Sequence, residues 1–166
     1  MSNLELLDAE DKLFTALVRD IDRARAESYE LMLALRSYKP AAADATAVVD
    51  ALIRELGYRE LGAGWIEIPR RIAAKMIAGL IGFDLAYPDE IVPSEQATDL
   101  ATRFLEFFPA GTRYFTNGAC SGEFAVYDLA GEAVLGWRSI SEAPLDNGVV
   151  AVNETVVGIV WAEDAP

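Results

Sequence analysis

Residues 117–122, Asn-Gly-Ala-Cys-Ser-Gly, are the one small-residue segment able to present a nucleophile, and Cys120 within it is the chain's single thiol. A reactive thiolate needs a neighbouring base or cation to lower its pKa. The chain contains no His, so Lys, Arg or a carboxylate would have to serve. An inter-strand turn, in which Gly relieves the backbone and Cys packs as a small hydrophobe, needs no such partner and is the simpler reading. Asp89-Glu90 and Glu163-Asp164 are adjacent carboxylates. A hydrolase pair faces one substrate from separate elements, so these read as solvated loop acids. Asp146-Asn147-Gly148 offers oxygens to a hard cation, but the spaced acids and final Glu of a calcium loop are absent. Turn chemistry accounts for it instead. Arg70-Arg71 opens a helical pattern and could receive an anion, although surface charge is the plainer use. No GxGxxG or GxxxxGK[ST] pattern occurs, so no nucleotide and no cofactor is implied.

The missing residues exclude more than the present ones suggest. Without His there is no Ser-His-Asp or Cys-His catalysis, no zinc-hydrolase motif and no His-ligated haem. One Cys makes neither an intrachain disulfide nor a thiolate-rich metal centre. The start, MSNLELLDAED, lacks the basic and apolar regions of a secretory signal. The most apolar stretch, 72–85, is interrupted by Lys75 and Asp84 and is shorter than the roughly 20 residues that span a bilayer. A reducing, cytoplasmic, bacterial-type setting is the expectation.

The elements that must position these groups divide the chain. Residues 7–38 read as one long helix: Leu7, Phe14, Ile21, Ser28 and Leu35 share one heptad position, and Glu10, Leu17, Ala24, Leu31 and Tyr38 the other. Such a helix is either one edge of an intramolecular bundle or a dimerisation seam. After Pro40, a second helix is expected over 41–56, stopped by Gly57. A short extended piece at 65–68 leads through Pro69 into a third helix over 70–83. There Gly79 and Gly82 suggest close packing against another element. A fourth helix spans 95–108, with Ser94 as its cap. From Thr112 the period shortens. Strands are expected near 114–115, 123–128, 133–140, 149–152 and 156–161, with 144–148 as a loop. The expectation is one α+β domain over 1–166, with a mainly helical part at 1–110 and an antiparallel β-meander of about five strands at 111–166.

Charge sharpens the functional reading. The 166 residues carry 27 acids and 14 bases, net −13, with 52% apolar residues. That balance disfavours nucleic acid and anionic lipid as partners. Residues 111–166 hold eight acids and only Arg113 and Arg138, net −6 over a third of the length. Aromatics flanked by acids make a protein-recognition face. Trp137, Glu142, Asp146 and Glu154 are its expected members, and Trp161 would strengthen it if exposed. The size, acidity and α+β layout are broadly similar to those of small bacterial immunity or inhibitor proteins, a compositional resemblance with no diagnostic motif. The leading reading is a non-enzymatic interaction domain steering toward a basic partner. The alternatives are a small-molecule-binding or His-independent enzymatic domain with a pocket between helices and sheet, and assembly as a homodimer through the first helix.

Overall fold

The structure, a computed structural model, describes residues 4–26, 31–39, 44–87, 89–120 and 125–164. In chain order the elements are β1 (Leu7–Asp8), α1 (Lys12–Arg25), β2 (Leu31–Ser37), α2 (Ala45–Glu55), β3 (Ile66–Ile68), α3 (Arg70–Gly82), α4 (Ser94–Leu105), β4 (Arg113–Thr116), β5 (Gly118–Ala119), β6 (Gly136–Trp137), β7 (Leu145–Val152) and β8 (Val156–Asp164). The fold is α+β. A six-stranded antiparallel sheet has the order β1-β2-β8-β7-β4-β3, and β5 and β6 form a separate two-stranded ladder.

The centre of the sheet is the β7–β8 hairpin, paired from Leu145↔Asp164 to Val152↔Val157. Successive side chains of a strand point to opposite faces, and here both faces are apolar. Val149, Ala151 and Val160 enter a core built with Leu17 and Ile21 of α1, Ile72 to Ile81 of α3, and Leu100 and Phe104 of α4. Val150, Val152, Val157, Ile159 and Trp161 enter a second core under Val48, Val49, Leu52 and Ile53 of α2, closed by Trp65 and Phe115. The helices therefore cover the sheet from both sides, α1, α3 and α4 on one and α2 on the other.

The helix expected over 7–38 is corrected. α1 occupies only Lys12–Arg25, capped by the Asp11 carboxylate, which accepts from Leu13 N at 2.8 Å and Phe14 N at 3.1 Å. It ends at Ala26, whose φ of 51° leaves the helical region. Leu31 to Ser37 then pairs with β8 along its whole length, Leu31↔Ala162 to Ser37↔Val156. The supposed seam is consequently split. Leu17 and Ile21 are buried in the chain's own core, and Leu35 reaches the same core from a strand. Ser28 lies outside the described residues.

The other helices agree with their spacing. α2 is capped by Asp44 and stopped at Gly57, φ 85°, and α3 and α4 match within three residues at each end. Ser94, however, is the first residue of α4 and not its cap: Pro93 holds the cap position, with no side-chain hydrogen bond. A Cβ at Gly82 would stand 3.3 Å from the Ala97 methyl, so this glycine does mark close α3–α4 packing. The C-terminal meander is corrected in part. β4, β7 and β8 join the main sheet, but three of its strands come from the first 70 residues. The 133–140 run reduces to two-residue β6 and the isolated bridge Tyr127↔Ala133. The 123–128 strand lies partly outside the described residues.

The loop expected at 144–148 is a strand from Leu145 onward. Gly148 is directly opposite Trp161, and a Cβ there would come within 2.3 Å of both the indole Cε3 and the Val160 carbonyl. The glycine makes room for a ring instead of making a turn. Gly148→Ala is expected to destabilise the chain by about 1–3 kcal/mol through overpacking, read as a lower urea midpoint with an unchanged m value.

Candidate functional site

The four expected face residues are not brought together. Asp146 is buried in β7 and spends its carboxylate inside the protein. Oδ2 accepts from Ile140 N at 3.0 Å, Ser141 N at 2.8 Å and Ser141 Oγ at 2.6 Å, while Oδ1 accepts from Asn117 Nδ2 at 3.0 Å. Asn117 also donates to the Arg138 and Asp146 carbonyls, and Asn147 Nδ2 donates to Asn117 Oδ1 and Gly118 O. This knot ties the 138–141 segment and β5 to the centre of the sheet. Glu142 is exposed beside Arg59 at 3.6 Å, a geometry of little energetic value. Glu154 is exposed in the β7–β8 turn, about 20 Å or more from Asp146 by strand rise. Trp161 is fully buried, edge-on to Trp65 with centroids 6.0 Å apart. Trp65 Nε1 in turn donates to the buried Asp50 carboxylate at 2.7 Å.

Asp164, expected in solvent, is inside, and Asp84 is buried beside it. Asp164 is buried at the end of β8, and with Asp84 it receives the Ala86 N–H, at 3.0 and 2.9 Å. Both carboxylates act on the buried Arg25, whose guanidinium donates to Leu80 O at 2.7 Å and Ile81 O at 2.8 Å. Burial pulls the Arg25 pKa down and the two carboxylates oppose it. Arg70, considered for an anion, donates to Leu105 O, Phe108 O and Tyr114 OH. Each guanidinium thus caps the C-terminal end of a helix, α3 and α4 respectively. Among the described residues no group of three His, Cys, Asp or Glu is placed to hold a metal ion. No helix among them is long and apolar enough to cross a membrane.

What the fold does assemble in the C-terminal third is a small hairpin, shorter than the strands expected at 123–128 and 133–140 but built on the turn between them. Val134 N donates to Val126 O at 2.9 Å and Asp128 N to Glu132 O at 3.0 Å, around a turn with Gly131 at φ 84°. Val126 and Val134 pack into the core on the α3 side. By the two-residue alternation, Tyr127 and Leu135 turn outward. Leu135 is 91% exposed and Leu129 58%, while Tyr127 and Trp137 stand near 40%. Asp128 and Glu132 flank the turn, and no base occurs between Ala125 and Trp137. The hairpin base is held by Gly118, at φ 137°, where a Cβ would meet Gly136 O at 2.3 Å. Its tip is held by Leu129 N donating to Glu67 O at 3.2 Å. The available signal was Val126, Tyr127, Val134 and Leu135 around Asp-Leu-Ala-Gly-Glu, a turn with apolar residues on both sides of each arm.

No protein-family model, curated protein or solved structure matches this chain.

Two measurements follow from this geometry. Asp146→Ala strands buried N–H donors and should cost about 2–4 kcal/mol, whereas Glu142→Ala and Glu154→Ala should stay within about 0.5 kcal/mol, all read by urea unfolding. Burial, with Asp146 nearby, pushes the Cys120 thiol up to about 11. Its labelling at pH 7 should therefore run roughly 100-fold slower than that of an unperturbed thiol and accelerate toward pH 11.

Proposed function

We propose that this chain is a non-enzymatic protein-interaction domain of inhibitor, immunity or regulatory type, binding a basic partner through the 126–137 hairpin of its C-terminal region. The observation that carries the reading is the exposure of Tyr127, Leu129, Leu135 and Trp137 within eleven residues. They are four of the seven large hydrophobics that stand exposed among the described residues. Exposed apolar groups clustered in this way mark contact surfaces, and aromatic anchors carry most of the binding energy in such surfaces. The anionic surroundings supply sign: Asp128 and Glu132 on the hairpin and a net charge of −13 favour encounter with a cationic surface. A lone thiol whose pKa burial pushes up to about 11 is a poor nucleophile for the enzymatic alternative. That alternative also places a pocket between helices and sheet, where Ile72, Met76, Ile77, Val149 and Val160 are packed and buried.

A photo-cross-linking residue at position 135 should capture a basic protein at low salt, and a second at position 19 on α1 should not. Trp137→Ala combined with Leu135→Ser should weaken the captured complex by at least about tenfold, a loss of roughly 1.4 kcal/mol, without lowering the unfolding midpoint. Capture that is indifferent to these substitutions, or to salt, overturns the proposal.

A further inference from the structure

We infer that the outer edge of β2 is a strand-acceptor site for an extended, basic segment of a partner protein. The inference rests on a different surface from the hairpin and stands or falls separately from it.

The two edges of the sheet are treated unequally. β3, at one edge, is three residues long, is followed by Pro69 and has the hairpin tip bonded to its Glu67 carbonyl. Short strands, proline and cover are the ordinary protections of an edge. β2, next to the other edge, is seven residues long and reads Leu-Met-Leu-Ala-Leu over 31–35, with no Pro, Lys or bulge. Its outer neighbour β1 pairs only at Leu7↔Ser37 and Asp8↔Arg36. The chain then turns at Glu10, φ 47°, into the Asp11 cap of α1. No strand among the described residues pairs with 31–35 on that side.

The backbone groups left there follow from alternation. Tyr38 N donates to Thr155 O at 2.9 Å, toward β8. Arg36, Ala34 and Met32 therefore direct their amides to β8 as well, and Leu35 and Leu33 direct theirs outward. The Leu35 carbonyl agrees: it accepts from the Arg36 guanidinium at 3.0 Å instead of from a strand. A cleft of about 320 Å³ lies along this edge, bounded by Met32 to Arg36, by Phe14 and the 8–11 corner, and by Leu56 of α2. Because Phe14 and Leu56 belong to opposite faces of the sheet, the cleft straddles the sheet edge, where one more strand would lie.

Charge selects the occupant. Asp8 and Glu10 are exposed at the rim with Asp11 behind them, and the one base in the lining, Arg36, is held by Glu55 at 3.0 Å. A second copy of the chain would bring another net −13 against these acids. An extended segment with Lys or Arg beside apolar residues matches both the open amides and the rim.

The test uses the whole chain and an acetylated, amidated Lys-Val-Lys-Val-Lys-Val-Lys peptide, with amide exchange as the readout. In the free chain the Leu33 and Leu35 amides should exchange quickly and the Ala34 amide slowly. The peptide should slow Leu33 and Leu35. Its Glu-Val counterpart should bind at least about tenfold more weakly at low salt, a gap that narrows as salt rises. D8N combined with E10Q should close that gap while leaving capture through position 135 intact. Methylating one alternate set of peptide amides should abolish binding, and methylating the other should not. Equal binding by both methylated sets, edge amides unmoved by the peptide, or Leu33 already protected in the monomer overturns the inference. Protection arising from a dimer overturns it too, by giving the edge to a second copy.

Discussion

The rest of the molecule depends on the β7–β8 hairpin having no polar face. Val149 to Val152 and Val157 to Trp161 present apolar side chains in both directions, so neither face can be left to water. One helical layer cannot cover both faces. α1, α3 and α4 therefore pack on one side and α2 on the other, each laid on whichever alternate residues point toward it. The hairpin also needs neighbours along both edges to satisfy its backbone. It recruits β2 from the first quarter of the chain and β4 with β3 from the middle. The long reach from Leu31 to Ala162 follows from that need.

The same constraint decides what was legible. α2, α3 and α4 each have one apolar stripe and a polar side, so their 3.6-residue period survives in the sequence. Residues 31–37 belong to a strand covered on both faces, which reads as a continuous apolar run and not as an alternation. Such a run fits a heptad seam as readily as a strand. Leu31, Leu35 and Tyr38 fall on the seam by chance, and the break before them comes at Ala26, a residue that carries no breaker signal. Pro-Leu-Asp-Asn-Gly misled for the opposite reason. Its residue types are those of a turn, but Asp146 is there for its acceptors and Gly148 for its missing Cβ.

Formal charge was a poor map of surface charge. Asp50, Asp84, Asp146 and Asp164 are all buried. Asp50 and Asp146 are surrounded by N–H donors, and Asp84 and Asp164 by Arg25 and the Ala86 amide. Burial of a carboxylate is tolerable only with that degree of satisfaction. These groups fix loops and helix ends in place: the 61–65 turn through Asp50, the 138–141 segment through Asp146, and the end of α3 through Arg25. Asp146 and Asp164 are two of the eight acids that gave residues 111–166 their apparent negative surplus. Only composition is visible before folding, and the sorting of carboxylates into structural and solvated ones depends on which backbone amides approach them.

What remains outside after this sorting is a sheet with two unlike margins. The β3 margin is spent: a short strand, a proline and the 126–134 hairpin close it, and in closing it the hairpin turns its own Tyr127 and Leu135 to solvent. The β2 margin is open because the chain leaves it after two residues to begin α1, and the Asp11 cap that starts the helix also ends the strand. One local choice, helix over strand at residues 9–12, thus keeps a backbone edge and its acidic rim accessible on a sheet whose faces are otherwise sealed. Both surfaces proposed for contact arise from how a two-faced sheet finishes its edges, one by the element that covers it and one by the element that stops short.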